Sequence, residues 1–178
     1  MTFGDYAALI KTETSFGKPV EHGKPQSFIE SFMQGTMDLH AWAVRDAAMH
    51  VGKFPVVIYA PSLNAPATEN IELCDYLAGE GFLVVASPSM GATTRSMTVD
   101  IAGANAQAKD ISFQIDFAKT LPDTDMSEVA AMGYSWEAWG HCFLRLGTSA
   151  LMLLSPSTGL FAILLTRCKK PETFILIK

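Results

Sequence analysis

Gly133-Tyr134-Ser135-Trp136 fills four of the five positions of the G-x-S-x-G pattern, in which a serine rides on a sharp turn between a strand and a helix. Such a turn presents the serine oxygen to a ligand. Small residues two positions before and after it let the helix start close to the neighbouring strands. The chemistry this serves is acyl transfer: the oxygen attacks a carbonyl carbon, and backbone N–H groups donate to the oxyanion that forms. Gly133 and Trp136 suit their places, so Ser135 is the candidate nucleophile and the Trp136 N–H a candidate oxyanion donor. The fifth position is Glu137, whose carboxylate would crowd the turn and oppose the developing negative charge.

A nucleophilic serine needs a base, and the sequence offers few. After Ser135 the histidine is His141 and the acids are Glu137 and Glu172. On a helix running on from Trp136, His141 would lie about 9 Å along the axis from the nucleophile, on the wrong turn for a general base. His22, His40 and His50 precede the serine and show no HxH or HExxH spacing, so they read as surface or core-edge side chains rather than metal ligands. Cys74, Cys142 and Cys168 are far apart, without a CxxC pair, which fits neither a disulfide framework nor a zinc site. No metal and no organic cofactor is indicated.

The elements that must position the serine are legible in the middle of the chain. Pro55–Ala60 (PVVIYA), Phe82–Ala86 (FLVVA) and Val129–Tyr134 (VAAMGY) are short apolar runs rich in β-branched residues, the pattern of strands covered on both faces. Between the first two, Thr68 is placed to cap a helix carrying Glu69 and Glu72 in its first turn. Its buried stripe would be Ile71, Cys74, Leu77 and Ala78, with Gly79 and Gly81 ending it. Between the second and third, Ile101, Ala104, Ala108, Ile111, Ile115 and Ala118 recur three and four apart, and Leu121-Pro122 stops that helix. Strands joined by helical crossovers imply an α/β fold: a mostly parallel sheet with flanking helices and chemistry at the carboxyl ends of the strands. The loop after the first strand, PSLN, is where a second oxyanion amide is expected. Leu63 is the first choice, with Ser62 and Asn64 as alternatives.

FPVVIYAPS, the helix ending in LAGEGFLVVASPS, and SEVAAMGYSW together resemble the central segment of bacterial dienelactone hydrolase-like α/β-hydrolases, over about residues 53–136. The resemblance implies a partial α/β-hydrolase fold and a serine hydrolase acting on an ester, thioester, lactone or similar acyl compound. Ser135 would be its nucleophile, with Trp136 and Leu63 as oxyanion donors. It also implies an acid and a histidine on loops well beyond the elbow, in the order Ser, Asp or Glu, His, and the sequence departs from the pattern there. The chain therefore divides into a poorly defined region 1–53, a βαβαβ core with the elbow at 54–136, and an aberrant tail at 137–178, as one incomplete domain. Two functions are in play: a serine acyl hydrolase that is weakly active or inactive, and a truncated α/β scaffold without catalysis.

Composition narrows the partners. With 49% apolar and 17% charged residues the chain has the makings of a core, and its net charge of −5 comes without any basic run, which argues against nucleic acid and anionic lipid. Leu151–Leu165 is apolar at both ends but has Ser155, Pro156, Ser157, Thr158 and Gly159 between, and a spanning helix needs about 20 mostly apolar residues. Two short strands, or a strand and a helix turn, fit it better. With no signal-like N-terminus the expected compartment is the cytoplasm. The expected partner is a small acyl substrate, with self-association through an open edge of the third strand.

Residues 137–178 hold no aspartate and little periodic order. One base lost after the Trp136 codon would explain this: in the alternative frame the stretch can encode GGLG, completing the elbow, and further on RDKRIDALVALDGSIRYF, a helix end, a buried strand and a turn. The gene's nucleotide sequence checks this prediction. A missing base at that codon in independent reads is expected, and an uninterrupted frame with no such continuation would overturn it.

Overall fold

The apolar, β-branched runs of the sequence become one sheet. The structure, a computed structural model, describes residues 1–10, 14–15, 18–19, 35–48, 50–134, 151–154 and 161–165. Its elements in chain order are helix α1 (Phe3–Ile10), strands β1 (Thr14–Ser15) and β2 (Lys18–Pro19), strand β3 (Phe54–Ala60), helix α2 (Ile71–Gly79), strand β4 (Leu83–Ala86), helix α3 (Ile101–Thr120), strand β5 (Thr124–Tyr134), and strands β6 (Leu151–Leu154) and β7 (Phe161–Leu165). β1 and β2 pair with each other; the other five strands form a sheet in the order β4-β3-β5-β7-β6. β3 runs parallel to both β4 and β5, whereas β7 is antiparallel to β5 and to β6. The fold is α/β, as the sequence implies.

The first of the three parallel strands lies in their middle. The chain crosses from β3 to β4 on one side, then back past β3 to β5 on the other. Crossovers of one hand that travel in opposite directions must use opposite faces of the sheet, and the packing follows suit. Leu77 of α2, with Leu73 and Cys74, covers Val57, Tyr59 and Met132. Ile111 and Ala118 of α3, with Ile115, cover Val56, Ile58, Ala60, Val129 and Ala131 on the other face. Alternate residues of β3 thus feed two cores, and a continuous apolar run is the only pattern that satisfies both.

Several local features differ from the sequence expectations, each for a physical reason. β5 begins at Thr124 because its first residues pair with Phe54 and Pro55; the partners of adjacent Pro55 and Val56 are then Asp125 and Val129, with Met126, Ser127 and Glu128 bulged out between. Asp125 Oδ1 holds that bulge by accepting from the Ser127 N–H (2.9 Å) and hydroxyl (2.6 Å). α2 starts two residues beyond Glu69, with Asn70 rather than Thr68 as N-cap and no side-chain capping bond, while Cys74 is half-buried and Ala78 exposed. On α3 the buried stripe includes Gln107 and Gln114, while Ile101 is 69% exposed. Asp100 caps that helix by accepting from the Gly103 N–H at 2.9 Å. Residues 39–45 form neither strand nor helix, only turns and an isolated bridge between Thr2 and His40.

The tail joins the sheet as two short apolar strands. The open edge expected on the third strand is therefore closed, since β7 pairs with β5 from Ala130 to Tyr134. The outer strands of the sheet are β4 and β6.

α3 carries a half-buried carboxyl, Asp110, which burial pushes up to about 6 from the ordinary 3.8. The folded chain then holds a proton that the unfolded chain has released, so stability falls as pH rises from about 4 through about 6. Asp110→Asn removes the titration. It is expected to raise the urea midpoint above pH 6 relative to the native chain and to change it little near pH 4. The same offset at both pH values would show that Asp110 does not titrate this way.

Candidate active site at the carboxyl ends of the parallel strands

β3 and β5 leave the sheet side by side: Ala60 is the register partner of Gly133. The loop after β3 leads to α2 on one face of the sheet, and the loop after β4 leads to α3 on the other. Open α/β sheets hold ligands outside the carboxyl ends of the strands at such a switch in strand order, which here lies between β3 and β5. Ser62 is two residues past Ala60, and Ser135 two residues past Gly133.

The loop after β3 is built around a tight turn. The Ala65 N–H donates to the Ser62 carbonyl at 2.9 Å, and Asn64, third in the turn, has φ 62°, a left-handed conformation that asparagine tolerates better than most residues. Asn64 Oδ1 accepts from the Met97 N–H at 2.6 Å, so its side chain also ties the loop after β4 onto this turn. The Ser89 N–H donates to the Ala65 carbonyl at 3.0 Å and Arg95 Nη1 to the Ser89 carbonyl at 2.8 Å, completing the seam.

Glu69 organises the other side. Its Oε2 accepts from the Ser62 N–H (2.8 Å) and from the Tyr59 hydroxyl (3.0 Å), and its Oε1 accepts from the Ser62 hydroxyl. Tyr59 is fully buried in β3, and burial raises its hydroxyl pKa, keeping it a neutral donor. The Asn70 amide donates to the same hydroxyl oxygen, which is why that side chain does not cap α2. Beneath the loop, Gln107 of α3 is buried with its Nε2 3.5 Å from the Pro61 carbonyl, and Gln114 Nε2 donates to Ser87 Oγ at 2.9 Å. The Oε1 atoms of both glutamines are buried without a hydrogen-bond partner among the described residues.

Of the residues singled out in the sequence, Ser135 and Trp136 lie outside the described residues, as do Glu137, His141, Glu172 and His22. Tyr134, which precedes the serine, is the last residue of β5. Leu63 is half-buried in the turn after β3, and its N–H has no hydrogen-bond partner among the described residues. The same is true of the Asn64 N–H, whereas the Ser62 N–H is taken by Glu69. The structure thus discards Ser62 from the three candidate amides. His40 and His50 are exposed. Cys74 is a poor nucleophile where it sits, because burial pushes its thiol up to about 11. Among the described residues there is no group of three His, Cys, Asp or Glu side chains that could hold a metal ion, and no helix long and apolar enough to cross a membrane.

Sequence reasoning missed Glu69, assigned to the first turn of α2, and Tyr59, taken only as part of an apolar run. Comparison of the chain with protein-family models, with curated proteins and with solved structures finds no match.

Asn64 has two tasks, a left-handed backbone and an acceptor for the Met97 N–H. Asn64→Gly keeps the first and loses the second, while Asn64→Ala loses both. Chemical denaturation is expected to show a loss of about 1–2 kcal/mol for the glycine variant and about 1 kcal/mol more for alanine. Equal losses would mean that the backbone conformation is not a constraint.

Proposed function

We propose that the chain is a serine acyl hydrolase of the dienelactone hydrolase kind, acting on an ester, thioester or lactone with Ser135 as nucleophile. The observation that carries the reading is the Leu63 N–H, which has no hydrogen-bond partner among the described residues and lies in the turn after β3, beside the strand whose next residue in sequence is Ser135. In the chain the candidate oxyanion donor follows β3 and the candidate nucleophile follows β5, and these two strands are parallel neighbours in the sheet. In the reaction the serine oxygen bonds to the acyl carbon, and the carbonyl π-electrons move onto the oxygen that the Leu63 and Trp136 N–H groups receive. Collapse of that adduct then expels the alkoxide or thiolate, and water releases the acyl group from Ser135.

The serine proton needs an acceptor, and the sequence past the nucleophile offers only His141, Glu137 and Glu172. Turnover is therefore expected to be slow. Oxyanion donors and binding alone sustain about 10³–10⁴-fold over water when a triad is disabled. A non-catalytic α/β scaffold is the competing reading, favoured by the same lack of an aspartate and a suitably placed histidine after the serine.

Fluorophosphonate labelling of purified protein separates the two. Labelling that is lost in Ser135→Ala supports the hydrolase, and its absence in a chain that circular dichroism shows to be folded supports the scaffold. Leu63→Pro deletes the one N–H at a turn position that favours proline. Removing an oxyanion donor of this kind is expected to slow labelling by about 10²-fold or more. An unchanged rate in the proline variant would remove Leu63 from the site.

A further inference from the structure

We infer that Glu69 is a positioning residue for the oxyanion loop: it holds the Ser62 end of the turn so that the Leu63 N–H is left free to face the acyl oxygen. The inference rests on the proposed serine hydrolase reading and adds to it a residue outside the nucleophile and its donors.

Four observations carry it. Glu69 lies in the segment 67–70, a turn that precedes α2, yet its carboxylate does not serve that helix. It reaches back along the chain to accept three hydrogen bonds, two from Ser62 and one from Tyr59. Tyr59 is locked in place, 0% exposed and packed between β5 and α2, so the third bond fixes the carboxylate to the sheet rather than to a mobile loop. Asn70 steadies the same hydroxyl from the other side, leaving its own helix without a side-chain cap. The outcome is a turn in which the N–H groups of Ser62 and Ala65 are paired while those of Leu63 and Asn64, between them, have no partner among the described residues.

A partly buried carboxylate costs desolvation that surface capping would avoid, and three donors converging on one group offset that cost. The arrangement makes sense if the direction of the intervening amides matters. Rigid donors aimed at a developing charge need not reorganise when it appears, and a supporting shell fixes that aim. Without Glu69 the Ser62 N–H is itself left unpaired and competes for the same region, and the turn is free to reorient.

The chemistry of the side chain makes the idea testable. Glutamine can reproduce all three contacts: its carbonyl oxygen accepts from the Ser62 N–H and Tyr59, and its amide donates to a Ser62 hydroxyl turned to accept. Alanine reproduces none. Two readouts are compared across the native chain, Glu69→Gln and Glu69→Ala: amide hydrogen exchange at Ser62 and Leu63, and the rate of fluorophosphonate labelling at Ser135. The expected result is a Ser62 amide that is protected in the native and glutamine proteins and released in alanine. Labelling should slow by about 10²-fold in alanine and stay within a few-fold in glutamine, the scale for a small misplacement of a catalytic group. A Ser62 amide equally protected in the alanine variant overturns the inference, as does its release without any change in labelling. If the native chain itself takes no label, the hydrolase reading fails. The exchange arm then stands alone: release in alanine with retention in glutamine upholds Glu69 as the residue that sets this turn, and any other pattern overturns it.

Discussion

Everything described in this molecule hangs on β3. It is hydrogen-bonded on both sides and covered on both faces, so none of Val56, Val57, Ile58, Tyr59 or Ala60 has a route to solvent. A strand in that position has no polar face to offer, and each of its larger aliphatic side chains contributes about 1.5–3 kcal/mol by leaving water, set against about 1–2 kcal/mol per residue for ordering the backbone. The one residue unable to donate to the ladder, Pro55, sits at the edge of this stretch. The register with β5 breaks immediately after it, where an irregular pairing is cheapest.

The same constraint decides where the chain turns. With β3 first in sequence and central in space, one crossover runs out to β4 and the next passes back over β3 to β5, and the helices of the two pack on opposite faces. Polar groups have little place within either core and collect at the strand ends instead. Glu69, Ser62, Asn64, Asn70, Ser89 and Gln107 all cluster there, and several of their bonds join one loop to another or to β3. The buried end of Tyr59 is the link between the two regimes. Its ring belongs to the core and its hydroxyl to the network, so packing in the sheet is transmitted to the turn that carries Leu63.

The sheet was readable from sequence because buried strands and the turns between them have local signatures. PVVIYA, FLVVA and VAAMGY all proved to be strands, in the expected parallel arrangement. What escaped was non-local. Glu69 next to a helix reads as a favourable charge on its first turn, and only the folded loop reveals that Ser62 and Tyr59 compete for it more effectively. Gln107 and Gln114 interrupt the apolar stripe of α3, and periodicity alone does not say that Ser87 and Pro61 lie opposite them. α1 went unread although Thr2 and Asp5 make the reciprocal bonds of a capping box, because so short a helix has almost no apolar periodicity to announce it.

The tail shows how differently a fold and a reaction depend on sequence. An open strand edge asks a newcomer only for backbone N–H and C=O groups and a run of residues able to extend; FAILL meets that request beside β5, and LMLL beside FAILL. Two short strands were one of the two readings the sequence allowed there, the other being a strand and a helix turn, and the sheet edge selects the first. Proton transfer from a serine asks for particular side chains at particular points on particular loops, and an apolar strand cannot substitute for an aspartate or a histidine. A chain can therefore complete its sheet with residues that do nothing for its chemistry. The carboxyl ends of β3 and β5 are where the proposed reaction would take place. The strength of that reaction depends on groups that the sheet does not require.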